Sequence, residues 1–305
     1  MATDHHRTAT PVRLVITVIL NLVITAAEVV GGLLCGSLSL LSDALHNLSD
    51  ALAVLLSYAA IRLARRGNTA RHTFGLKRAE ILAALINAGV LLVLSVYLLY
   101  RAAVRFAHPE AVQGRLMMIV ASVGLAANVT ATLLLRRGAR DNMNIRSAYL
   151  HLLSDAISSI AVVAGALAIS LFGISWIDPL LTILISLYVL KQSYSLVKDA
   201  IHVLLEGAPE GLDLSRLKQQ VERLPRVHGI HHVHVWTVGE HDIHFEAHVQ
   251  VEDMALSETV AVRRGIEELL REEFSVNHVA LQLECENCGE EDLIRKGGPS
   301  SGDRS

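Results

Sequence analysis

Six apolar stretches of about 20 residues or more, each long enough to cross the hydrocarbon of a bilayer, fill the first two thirds of this 305-residue chain. They run over Val12–Leu34, Leu40–Leu63, Ala79–Val104, Leu116–Leu135, Ala148–Phe172 and Ile177–Leu196. Segments of that length must satisfy their backbone hydrogen bonds internally, so six transmembrane helices are predicted. The arm before Pro11 is too short and too polar to be a signal peptide. Basic residues sort by side. The connection between helices two and three carries Arg62, Arg65, Arg66, Arg71, Lys77 and Arg78, and that between four and five carries Arg136, Arg137, Arg140 and Arg146. The opposite side offers little beyond Arg101, Arg105 and Arg115, so both termini are expected in the cytoplasm. The formal net charge of −3 gives no electrostatic reason for a nucleic-acid partner, since topology accounts for the basic loops.

Two of the spans contain a repeat that ought to be excluded from them. Leu45–Ala51 reads LHNLSDA and Leu150–Ala156 reads LHLLSDA. Positions i and i+4 share a helix face, so His46 with Asp50 and His151 with Asp155 each form a two-toothed clamp. Ionisable groups at membrane depth cost about 2.5–3.5 kcal/mol apiece on insertion scales, and they usually face the bundle interior and mark an ion path. Two facing clamps supply two imidazole nitrogens and two carboxylate oxygens, a tetrahedral set suited to Zn2+. Asp43 shares the face of Asp50, with helix-start hydrogen bonding or lining of the ion route as its two readings. Asn21 and Glu28 in the first helix are expected either to pair with neighbouring helices or to line a cavity.

The text changes at Glu206, where EGAPEGLD reads as a linker. Helical spacing over Leu214–Leu224, alternation over His231–Val238 and Asp242–Val251, an amphipathic helix over Ser257–Phe274 and alternation over His278–Glu284 predict an αββαβ domain. The expected organisation is a cytoplasmic arm over residues 1–11, a six-helix membrane domain over 12–205, a soluble metal-binding domain over 206–288 and a disordered tail over 289–305. Two helices on one face of three strands leave the other face for a partner or a second copy. Ile243, Phe245, Ala247 and Val249 point one way, while His244, Glu246, His248 and Gln250 point the other. Strand parity brings His232 and His234 beside His248. Cys285 and Cys288 sit where disulfides are disfavoured and read as a thiolate metal pair or as reduced thiols.

These residues carry a resemblance. GSLSLLSDALHNLSD at Gly36–Asp50, HTFGLKRAEILAALIN at His72–Asn87, the HLLSD of the fifth helix, the Asp178–Pro179 pair and VLLEGAP at Val203–Pro209 together resemble the cation diffusion facilitators. The likeness covers Val12–Cys288. It implies a homodimer in the bilayer, a ferredoxin-like cytoplasmic domain, and a transport site at His46, Asp50, His151 and Asp155. It also implies a cytoplasmic site at His231, His248 and Glu284, with His234 close by, which disagrees with the parity reading over the first-strand ligand. Gln282 stands where one bacterial subgroup has His. Further metal positions implied by relatives are His72 in the basic loop, and Cys285 and Cys288, for which His5 and His6 are possible co-ligands. Two histidines in the transport site favour zinc over harder ions, by resemblance and by ligand chemistry.

Loading zinc displaces protons from imidazoles whose ordinary pKa lies near 6.5, so Zn2+/H+ antiport out of the cytoplasm is expected, with protons as counter-ion and zinc also a ligand of the tail. The helix four to five loop lacks the His-rich insert of many animal members, which places the chain in a prokaryotic cell membrane. Three other readings compete with this one: interhelical polar pairs without metal, an intramembrane metalloenzyme, and a proton-driven carrier of organic solutes. A catalytic zinc keeps three protein ligands and an open position, whereas four ligands are available here and no HExxH occurs.

Overall fold

The computed structural model describes residues 11–64, 67–136, 143–239, 242–285 and 293–294. The arm with His5 and His6, the tail apart from 293–294, and Cys288 lie outside the described residues. The chain divides into two compact units, one of residues 1–61 with 83–198 and one of residues 62–82 with 199–305.

The first unit is helical, built from α1 (Pro11–Cys35), α2 (Leu38–Ala64), α3 (Ala79–Ala107), α4 (Gly114–Leu135), α5 (Met143–Phe172) and α6 (Ile177–Leu204). The elements are those expected, but α6 runs eight residues past Leu196. Among the described residues four helices, α3 to α6, are long and apolar enough to cross a membrane, and α1 adds a shorter apolar helix over Asn21–Cys35. At 27 residues α2 would be about 40 Å long. Its hydropathy is lowered by Ser42, Asp43, His46, Asn47, Ser49 and Asp50, polar groups that face other helices rather than the outside. Ser42, Asp43, His46, Asn47 and Ser49 are buried.

Packing around α2 uses two apolar clusters. Leu40 meets Cys35 of α1, Met117 and Ala121 of α4, and Val162, Ala166 and Ile169 of α5. Leu38 meets Leu98 and Ala102 of α3, with Leu41, Leu45 and Ile183 of α6 against them. Close approach of α5 to α6 depends on Gly165, where an added methyl would collide with the Leu181 side chain. Leu82, Ile86, Val90, Val93 and Val96 of α3 remain exposed, as helices facing lipid do.

The second unit has α7 (Leu214–Val221), β1 (Val227–Thr237), β2 (Ile243–Val251), α8 (Leu256–Phe274) and β3 (His278–Glu284). Strand β1 starts four residues before the expected His231. Asp213 caps α7 by accepting from the Ser215 and Arg216 backbone N–H groups. The sheet order is β1-β2-β3, with β1 antiparallel and β3 parallel to β2. Phe245, Ala247 and Val249 of β2 are fully buried against Leu217 and Val221 of α7 and Ile266 and Leu270 of α8, so the expected inward parity holds.

The opposite face of β2 is partly covered by the α2–α3 connection. Phe74 lies edge-on to His244 with ring centroids 5.1 Å apart, Trp236 stacks on the same imidazole at 5.6 Å, and His278 lies 4.7 Å away. Beside this cluster Lys77 pairs with Asp242 at 3.0 Å, and Arg78 with Glu206 at 3.1 Å. His244 is buried, and its Nδ1 has no hydrogen-bond partner among the described residues. Burial pushes its pKa down, positive charge on His278, Lys77 and Arg78 pushes it further, and Asp242 opposes them. Because the lowered value belongs to the docked state, that state gains nothing from protons. It is undiminished above about pH 6.5 and weakens as pH falls below the ordinary histidine value. Hydrogen exchange over residues 67–82, corrected for intrinsic rates, is expected to lose protection between pH 7.5 and 5.5 in the native chain and to lose less in His244→Phe. Equal losses in both proteins would show that His244 is not the titrating group.

Candidate metal centre

The two clamps face each other because α2 and α5 cross antiparallel. His46 Nε2 lies 3.2 Å from Asp155 Oδ1, and His151 Nε2 lies 3.2 Å from Asp50 Oδ2. Each histidine is therefore nearer the other helix's carboxylate than its own, which stands 3.7 Å away for His46 and 3.8 Å for His151. The imidazole centroids are 5.9 Å apart, edge to face. One ligand atom from each of His46, Asp50 and Asp155 falls within a mutual 4.8 Å. His151 touches both carboxylates from the fourth side. The sequence repeat thus becomes one four-residue cluster of two imidazoles and two carboxylates.

Exposure is uneven. The side chains of His46 and Asp155 are each 6% exposed, those of Asp50 and His151 31% and 41%. Asp50 lies beyond His46 toward the C-terminal end of α2, so the more exposed half of the cluster lies on that side and the more buried half on the other. A third rung continues the ladder inward, where Ser158 donates to Asp43 Oδ1 at 3.2 Å. Asp43 is five residues inside α2, and its carboxylate takes a cross-helix bond rather than the helix-start bond offered as the first expectation. Helix one resolves into pairing. Asn47 donates to Glu28 Oε2 at 3.0 Å, and Asn21 donates to the Asn47 carbonyl. Glu28 is buried, and the absence of a side chain at Gly124 of α4 makes its room.

Several partners carry no short-range sequence signal. Tyr188 of α6 lies edge-on to His46 at 6.1 Å and exchanges a hydrogen bond with Ser154 at 3.3 Å, while Ser42 and Ser186 join α2 to α6 at 3.1 Å. On α3, Asn87 donates to Ser49 Oγ. Only Ser154 and Ser158 flank Asp155 closely enough along the chain to have been suspected.

In the soluble unit a second cluster forms. His248 Nδ1 lies 2.8 Å from Glu284 Oε1, His231 Nε2 lies 3.4 Å from Glu284 Oε2, and the three present ligand atoms within a mutual 4.8 Å. The strand-parity expectation is corrected for His231, which it turned away from His248. His231 pairs directly with His248, and His234 with Glu246, because a register shift puts one extra residue into β1 between them. His232 sits in that shift with a φ of 51°, a β-bulge that re-aims side chains along the strand. Its ring reaches within 4.7 Å of His248 and 5.0 Å of His234, so His232 neighbours the cluster and links it to His234. Gln282, opposite His248, donates to Glu284 Oε1 instead of presenting an imidazole. Cys285 is exposed beside Glu284, and His72 lies in an exposed turn where its N–H bonds Thr69. Neither belongs to the two clusters above.

Both units match known families. The cation efflux transmembrane domain matches residues 14–205, and the cytoplasmic domain of cation efflux proteins matches residues 209–286. The chain is 39% identical to the zinc transporter ZitB of Pectobacterium atrosepticum, over 94% of this chain and 90% of that protein. It is 41% identical to ZitB of Escherichia coli K12, over 86% and 83%. With the cadmium, cobalt and zinc/H(+)-K(+) antiporter of Bacillus subtilis it shares 36% identity over 94% and 93%. The chain belongs to the cation diffusion facilitators, the cation efflux family, and is a membrane transporter rather than an enzyme.

Proposed function

We propose that this transporter exports Zn2+ from the cytoplasm in exchange for protons, with His46, Asp50, His151 and Asp155 binding the ion. The observation that carries the reading is the pair of 3.2 Å contacts that interleave the two clamps, which gathers two imidazoles and two carboxylates in one cluster. Neutral imidazole and carboxylate are zinc ligands, and four such groups close a tetrahedral shell. Their chemistry agrees with the relatives named as zinc transporters and as a zinc/H(+)-K(+) antiporter.

Exchange follows from competition. A ligand nitrogen must shed its proton to bind metal, so zinc loading releases protons and protonation expels zinc. Two carboxylates balance the dication, and a loaded site near neutrality crosses a low-dielectric bundle far more cheaply than a bare ion. In empty clamps each imidazole keeps a carboxylate partner, so the unloaded transporter can return with protons in place of metal. The more exposed half of the site lies toward the C-terminal end of α2, which the charge asymmetry assigns to the cytoplasm together with both termini. The membrane is then a prokaryotic cell membrane.

His231, His248 and Glu284 are read as the ligands of a cytoplasmic zinc site, with His234, Cys285, Cys288 and His72 as further candidates. The soluble domain is read as the dimerising part of a homodimer. Metal bound there, by favouring one of two states, biases transport as cytosolic zinc rises.

In proteoliposomes with an imposed pH gradient, the native chain is expected to drive zinc uptake, and Asp50→Ala and Asp155→Ala to abolish it. His46→Ala should weaken zinc binding by about 100-fold or more, about 2.7 kcal/mol. Gradient-driven flux that survives both aspartate substitutions would sink the assignment.

The cytoplasmic site is tested separately. His248→Ala with Glu284→Ala is expected to lower zinc stoichiometry and shift the zinc dependence of transport while leaving flux at saturating zinc intact. Unchanged stoichiometry would remove the site.

A further inference from the structure

Helix α2 carries half of the proposed transport site, and its position along the bundle is set by a residue from a helix far away in sequence. Asp178, in the first turn of α6, is fully buried. Its carboxylate accepts from the Leu38 N–H at 2.9 Å, the Ser39 N–H at 3.1 Å, the Ser37 hydroxyl at 2.6 Å and the Ser39 hydroxyl at 2.7 Å. The first N–H groups of a helix lack partners within it, and a carboxylate placed there also meets the positive end of the helix dipole. Ser37 Oγ completes the set by accepting from the Leu40 N–H at 3.2 Å.

Arg105 of α3 closes the junction. It donates to the Gly36 carbonyl and lies 3.4 Å from Asp178 Oδ2, and its other nitrogen pairs with Glu110. Three helix ends therefore meet on one carboxylate. From there to His46 is eight residues of rigid helix, about 12 Å. Along that length α2 touches α6 again at Ser42 with Ser186 and at His46 with Tyr188.

We propose that Asp178 is a positioning residue for transport: by capping α2 from α6 it holds His46 and Asp50 level with Asp155 and His151. The proposal rests on the reading of those four residues as the zinc site. A shift of α2 along its axis would part both 3.2 Å contacts together, because both teeth of its clamp sit on the same rigid helix. Asp178 touches none of the four ligands, so its effect on zinc passes through the helices it joins, above all α2.

Asp178→Asn keeps the shape but offers one acceptor oxygen where two served five donors, and turns an amide toward the rest. Zinc flux in proteoliposomes is expected to show KM raised about tenfold with Vmax per inserted transporter within about threefold, the pattern of lost binding geometry. A protein that merely folds less well would lose Vmax at native KM. Ser37→Ala with Ser39→Ala removes two donors and spares the carboxylate, and should raise KM about threefold, a change in binding rather than in turnover. It carries the test if Asp178→Asn fails to insert. Asp155→Ala runs alongside: flux that survives it overturns the zinc-site reading. Flux abolished there, with native KM in the Asp178 variant or, where that fails to insert, in the serine pair, overturns the positioning role alone.

Discussion

The interleaving of two His–Asp clamps across one helix crossing is the constraint that the membrane unit is built to meet. Four ionisable groups in apolar helices would each cost about 2.5–3.5 kcal/mol if left to lipid. Pairing every imidazole with the opposite helix's carboxylate removes most of that penalty, but only at one register and one crossing of α2 and α5. The polar residues nearby serve that register. Ser158 holds Asp43, Asn47 holds Glu28, Ser42 meets Ser186, and Asp178 fixes the helix start. Each contact satisfies a group that would be costly alone, and together they tie α2 to α1, α5 and, twice, α6. Helix α2 is thus the most polar of the six, with its polar groups turned to its neighbours.

The same arrangement explains the one-sided exposure. Beyond His46 toward the α2 start, the route meets Asp43 and Ser158 and then the buried cluster of Leu40, Met117, Val162 and Ala166. In the other direction Asp50 and His151 are partly open. An ion bound among all four residues would have two ligands already turned toward the accessible end and two sealed behind it. If the four residues carry the ion, its release on the far side would need the sealed end to part while the clamps stay whole, which would put the difference between the two states at the helix ends beyond the site.

Legibility in the sequence followed the range of the interaction. His46 with Asp50 and His151 with Asp155 are i,i+4 pairs, visible in seven residues of text, and the repeat announced that the two belong together. Helix and strand identities were equally local. Asp178 was visible as part of a motif but not as the cap of α2, because that contact spans about 140 residues and no periodicity encodes it. Parity missed His231 for a different reason: it assumes unbroken alternation, and a single extra residue at His232 turns His231 to the same face as His234. His244 was read as part of a polar sheet face and proved buried, because Phe74 from a loop far back in the chain covers it.

The two clusters differ in a way that their surroundings demand. The membrane cluster has two carboxylates for two imidazoles, and the soluble cluster has one, Glu284, for His231 and His248. In a bundle with few other charges, a dication must be neutralised by its own ligands, because residual charge in low dielectric costs several kcal/mol even after relaxation. The sheet cluster has further imidazoles beside it, His232 within 4.7 Å of His248 and His234 within 5.0 Å of His232, and would lean on these in place of a second carboxylate if it holds an ion. Charge balance would then separate a site that passes its ion through a membrane from one that only holds it.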